Sequence, residues 1–152
     1  MSRFHGSKDL WLAAMRTDGP ALRVAAEEVE PTATVPSRPQ WTMADLLHHV
    51  GSTYRWVDDH APRGVTTQPE QPLSAYLDQP TPADIRAWWN DQFAAVIATL
   101  DALDADAPAW NWAPQAKRAG FWHRRMAMET ATARWDAQMA TGVAEPIEAK
   151  LA

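Results

Sequence analysis

The sequence predicts an all-α fold, four helices packed as a bundle and joined by long crossover connections. Apolar residues recur at three- and four-residue spacing over four stretches, the period of a helix with one buried face. The twelve prolines fall mostly between those stretches, where a residue without an amide N–H does least harm. No run alternates well enough to demand a sheet. A chain of 152 residues suits one domain, able to bury about two-thirds of its unfolded surface. The bundle is assigned to residues 1–143, and residues 144–152 to a short C-terminal tail expected to fray.

The first helix is expected from about Lys8 to Val29, carried by Leu10, Ala14, Ala21, Ala25 and Val29. Asp18-Gly19-Pro20 should kink or break it, because proline removes an amide and crowds the preceding turn. Residues 30–40 hold Pro31, Pro36 and Pro39 and read as a connection. The second helix starts near Trp41, with Thr42 as N-cap and Asp45 three residues on, a capping box with a shorter acid. Between residues 61 and 80, prolines at 62, 69, 72 and 80 leave room only for a turn around Leu73 to Leu77. That length suits a crossover. Thr81-Pro82 offers an N-cap and a first-turn proline for the third helix, with Asp84 favourable to its N-terminus. Ile85, Trp88, Trp89, Phe93, Val96, Ile97, Leu100 and Leu103 carry it to about residue 104. Residues 105–115 connect it to a fourth helix from roughly Lys117 to Met139, ended by Gly142.

Composition narrows the function. With no cysteine, disulfides, thiolate metal sites and a catalytic thiol of the protein's own are excluded. A net charge of −5 without a basic stripe argues against nucleic-acid partners, since phosphate binding needs clustered cations. No run approaches a membrane span and no targeting segment opens the chain, so a cytoplasmic protein without membrane partners is expected. The nine tryptophans are expected as core and interhelical wedges, with an aromatic binding groove as the alternative.

Two helical positions carry candidate chemistry. On the fourth helix, Trp122, Arg125, Met126, Thr132, Ala133 and Asp136 fall within about 60° of Glu129. This places Glu129 amid a packed face. A carboxylate there needs a partner: a metal, a histidine from another helix, or a cation such as Arg125 one turn earlier. On the second helix, His49 lies on an apolar side, as a hydrogen-bonded core residue or as a ligand. His48 falls nearer solvent. His5, His60 and His123 show no partner spacing and read as surface or boundary residues.

Trp41, Leu46, Leu47 and His49, preceded by Val35-Pro36-Ser37 and Pro39, form one motif. Phe121-Trp122, Arg124-Arg125-Met126, Glu129 and Arg134-Trp135-Asp136 form a second. Together with Trp110 and Trp112 they resemble the N-terminal domain of the mycothiol-dependent maleylpyruvate isomerase family, within the DinB/YfiT-like superfamily. The resemblance covers nearly the whole chain and implies an all-α, DinB-like four-helix bundle. It also implies a divalent metal, typically zinc, held by a histidine on the second helix and by a glutamate and a histidine one turn apart on the fourth. These map to His49, Glu129 and residue 133. Residue 133 is Ala133, which has no donor atom, and Met128 supplies no imidazole nearby. Asp136 is a weak substitute: it lies about 20° from Glu129 round the helix but roughly 10 Å along it.

The chemistry that the resemblance implies is activation of a low-molecular-weight thiol, mycothiol, by the metal, as a thiol-dependent isomerase or transferase acting on an electrophilic substrate. Arg125 would then bind an anionic group. With Ala133 in place of the third ligand, the expected metal site is incomplete and the catalytic residues are unassigned. The competing expectation is a non-catalytic binding, interaction or stress-related bundle, dimeric through a tryptophan-bearing face.

Overall fold

The computed structural model describes the backbone of residues 3–114 and 116–148, and side chains from residue 8 onward. Among these residues the chain forms α1 (Arg3–Glu27), β1 (Thr34–Val35), β2 (Arg38–Thr42), α2 (Met43–His60), α3 (Leu73–Leu77), α4 (Ile85–Ala102) and α5 (Gly120–Thr141), with a single 3₁₀ turn over Ala61–Arg63. The four long helices make the all-α bundle. None is long and apolar enough to cross a membrane.

α1 packs along most of α5, and α2 along α4. α1 and α4 cap each other. Lys8 Nζ donates to the carbonyls of Asp101 and Leu103, both at 2.8 Å. Arg86 of α4 donates to the carbonyls of Ala26 and Val29 beyond the other end of α1. Each cation meets the carbonyl-rich, partially negative end of the facing helix. The core between them holds Leu12, Met15, Leu22, Leu46, Tyr54, Trp89, Leu100, Trp122 and Met126, all essentially without solvent contact.

Pro20 does not break α1, which runs continuously across it. Neighbours on both sides hold the backbone there. Gly19 is buried against the Phe93 ring, so close that a Cβ would overlap it. Asp18 is ion-paired to Arg134 of α5 at 3.1 Å. The pyrrolidine ring itself faces solvent. Tertiary contacts thus offset the roughly 3 kcal/mol that an internal proline costs.

The connection before α2 contains a small antiparallel pair, β1 with β2, where a plain loop was expected. Its residues do not alternate in hydrophobicity. The pairing is set by backbone continuity into the helix, with the Met43 amide donating to Ala33 and the Ala44 amide to Pro31. Pro39 is tolerated because each strand of a two-stranded pair is an edge. The capping box forms as expected: Thr42 Oγ1 accepts from the Asp45 amide at 3.1 Å, and Asp45 Oδ2 from the Thr42 amide at 2.9 Å. α4 begins later than Thr81-Pro82 indicated, because Asp84 is the N-cap and accepts from the Ala87 amide.

α5 ends at Gly142, whose φ of 83° is the left-handed conformation that glycine adopts without strain. The tail beyond it is docked rather than frayed over Glu145 and Pro146. Arg134 donates to both carbonyls, and Gln138 Oε1 accepts the Glu145 amide at 2.9 Å.

Candidate functional site

α2 and α5 carry the two candidate ligands. His49 is half-buried, three turns before the end of α2. Its ring lies 4.9 Å from that of Trp41, tilted by 43°. Burial is the main cause that pushes its imidazole below the usual range. The Glu129 carboxylate pulls it back up, while Arg38 and His48 push it further down. The Glu129 carboxylate of α5 thus acts on the His49 imidazole of α2, while burial favours the neutral ring.

Glu129 sits at the rim of the packed face of α5, its side chain 26% exposed. Its neighbour is Arg125 one turn back, with Nη2 3.1 Å from Oε1. Of the three partners open to this carboxylate, the direct contact is the cation. The Arg125 guanidinium also lies over the Trp112 ring, 5.3 Å from its centre. Trp112 is 47% exposed and stacks flat on Trp56, 5.5 Å away with planes 7° apart.

The loop that presents Trp112 is organised by a buried asparagine. Asn111 donates to the Ala116 carbonyl and accepts from the Ala113 amide, both at 2.9 Å. Lys117 Nζ donates to the carbonyls of Asn111 and Ala113. Trp122 Nε1 of α5 donates to the Trp110 carbonyl at 2.7 Å, which fixes the loop to the helix.

Position 133 is filled by a buried alanine, 3% exposed, so no donor reaches inward there. Asp136 is not available in its place. Its side chain is 5% exposed, Oδ1 accepts from Ser37 Oγ at 2.6 Å, and Oδ2 accepts from Arg38 Nε at 3.2 Å. Both oxygens serve the turn that leads into α2. Among the described residues no three His, Cys, Asp or Glu side chains converge as a metal site would require. A catalytic zinc ordinarily takes three protein ligands and keeps one open position. His49 and Glu129 alone do not fit that set.

The sequence reading puts His60 and His123 at the surface or boundary, and the structure corrects both. Each is buried, with a ring nitrogen satisfied by a main-chain carbonyl: His60 Nδ1 with Trp56 and His123 Nε2 with Leu100, both at 2.7 Å. Ring–ring packing of His60 against Trp56, Trp110 and Trp122 supplies the burial. His48, expected nearer solvent, is half-buried and stacked on Trp88. The side chain of His5 lies outside the described residues.

Residues 12–138 match the family model for the mycothiol maleylpyruvate isomerase N-terminal domain. The chain belongs to this family. Comparison with curated proteins and with solved structures gives no match. The family assignment agrees with the two motifs around His49 and Glu129 and with the helical fold. From sequence Arg38 carries no role, and Trp41 and Trp112 read as core or interhelical tryptophans; the structure places Trp41 on His49 under Arg38, and Trp112 under Arg125. The signal available for Trp41 is Arg38 three residues earlier, whereas no arginine close in sequence marks Trp112.

Proposed function

We propose that this isomerase-family bundle carries a divalent-metal site reduced to two protein ligands, His49 and Glu129, which holds zinc too weakly to stay loaded. Its resting function is then small-molecule binding, not thiol activation. Mycothiol, the thiol in the family's name, is the first candidate ligand, and an electrophilic or anionic partner is the second. The observation that carries this reading is the buried Ala133 one turn beyond Glu129. Losing even a supporting partner of a metal ligand costs about 10 to 100-fold in affinity, and losing a ligand costs at least as much. The Arg125–Glu129 ion pair favours the non-catalytic side of this reading, because it satisfies the carboxylate without a metal.

Elemental analysis of the purified, untagged protein beside an Ala133→His variant tests the proposal. The wild type is expected to carry clearly sub-stoichiometric metal, and the variant to gain zinc. Near-stoichiometric metal in both would overturn it.

A further inference from the structure

Arg125 is held from two sides. Its Nη2 is 3.1 Å from Glu129 Oε1, and its guanidinium carbon is 5.3 Å from the centre of the Trp112 ring. That ring cannot follow a moving arginine. It stacks on the buried Trp56 and meets Phe121 and Trp122 edge-on. A guanidinium on a fixed aromatic face gains from the ring quadrupole as well as from its carboxylate partner.

A divalent cation approaching Glu129 would therefore meet a positive charge already about 3 Å from the oxygen it must ligate. Like charges at such separations repel, and the carboxylate cannot serve both fully. The pair is also reachable, with side-chain exposures of 41% for Arg125 and 26% for Glu129, so an ion from solvent competes for it directly.

We propose that Arg125 is the resident counter-ion of Glu129 and excludes divalent cations from it, a second determinant of metal occupancy independent of the missing donor at position 133. This rests on the reading of His49 and Glu129 as the residual site. Arg125 is a specificity-determining residue: displacing it is part of the cost of binding any cation there.

The test uses the full, untagged chain and Co²⁺ as probe, followed by its d–d absorption in Ala133→His and in Ala133→His/Arg125→Met. Removing an i,i+4 ion pair and a cation–π contact should tighten Co²⁺ binding by roughly three- to tenfold. Ala133→His/Arg125→Lys keeps the charge and should stay close to Ala133→His. Equal or weaker binding in the Arg125→Met double variant overturns the proposal. If Ala133→His takes up no Co²⁺, the residual-site reading has failed instead. Arg125 is then judged by Mn²⁺ broadening of the Glu129 side-chain resonances in wild type and in Arg125→Met. Greater broadening in the variant supports competition, and equal broadening overturns it.

Discussion

Trp41 packs its indole against the His49 imidazole, with ring centres 4.9 Å apart, and is itself covered by the Arg38 guanidinium at 4.7 Å. Arg38 is anchored in turn by Asp136 of α5. A carboxylate two turns beyond Glu129 thus reaches His49 indirectly, by fixing the turn whose tryptophan lies on the imidazole. The resemblance to metalloproteins made Asp136 a substitute ligand. In the structure it positions the turn that packs on His49 of the other helix.

Asp136→Asn should therefore loosen that turn while leaving the bundle folded. The substitution weakens two hydrogen bonds to a carboxylate that is 5% exposed, and hydrogen bonds to charged groups contribute about 1.5 to 3 kcal/mol each. Arg38 is half exposed and recovers part of this in water. A net loss of roughly 1 to 3 kcal/mol in urea unfolding is expected, with a shift of the His49 ring resonances. Unchanged His49 resonances would show that the arginine–tryptophan stack does not orient the imidazole.

Much of the fold was legible because local rules and tertiary packing agree. The Thr42–Asp45 capping box, the stop at Gly142 and the apolar stripe of α4 each follow from short-range chemistry. Pro20 was misjudged because its cost is local, whereas the contacts that offset it come from Phe93 and Arg134, far off in sequence. The same limit applies to the site. His49 and Glu129 stand out as polar groups on packed helical faces, whereas the interest of position 133 comes from the family resemblance alone. The pairing of Arg38 with Asp136 joins residues 98 apart, and no period within a helix encodes it.

Gly19→Ala should destabilise the protein, although alanine is the better helix former by up to about 1 kcal/mol. A Cβ at residue 19 would overlap three atoms of the Phe93 ring. That ring stacks on Trp89 at 5.2 Å and packs beside Tyr54, so it can retreat only by giving up those contacts. Overpacking of this kind costs about 1 to 3 kcal/mol. Gly51→Ala meets the outer edge of Trp88 less closely than Gly19→Ala meets Phe93, and should cost less. Thermal unfolding of the two variants checks the order.

Asp58 should make stability depend on pH. Burial pushes its carboxyl up to about 6, opposed by a hydrogen bond from Thr99 and reinforced by the charge of Asp59. Oδ1 is buried without a hydrogen-bond partner among the described residues. A folded-state value above the unfolded one means that its contribution is fully present below about pH 4 and is lost as pH rises through 6. Asp58→Asn is therefore expected to be neutral near pH 4. At pH 8 it should stabilise by roughly 1 kcal/mol, a figure reduced for partial solvent screening. Equal effects at both pH values would remove Asp58 as the source.

The buried histidines act in the opposite direction. Burial pushes His123 below its usual range, and the bond to Leu100 only partly restores it. His60 behaves alike, with its bond to Trp56 as the restoring contact. Both are harder to protonate in the folded chain than in the unfolded one, which takes up protons below about pH 6.5. Stability should fall as pH drops from 7 towards 5, by at most about 1.4 kcal/mol per pH unit for each histidine. His123→Asn should flatten part of this slope in denaturant titrations at several pH values. An unchanged slope would exclude His123 as a contributor.

Arg134 is the most heavily committed cation among the described residues. It pairs with Asp18 of α1 at 3.1 Å and donates to Gln138 Oε1 and to the carbonyls of Glu145 and Pro146, with its side chain 5% exposed. It joins α1, α5 and the tail at one point, beside the helical proline. Burial already pushes the Asp18 carboxyl above its usual value, and Arg134 is the main influence holding it down. Arg134→Met would strand that carboxylate, and breaking a buried pair on one side costs about 3 to 5 kcal/mol. Asp18→Asn in the same chain removes the stranded charge, so the double variant should regain a large part of the loss. A coupling energy of about 1 to 3 kcal/mol is expected from the double-mutant cycle. Additive effects would mean that Arg134 acts only through the tail, and Pro20 would then owe nothing to this ion pair.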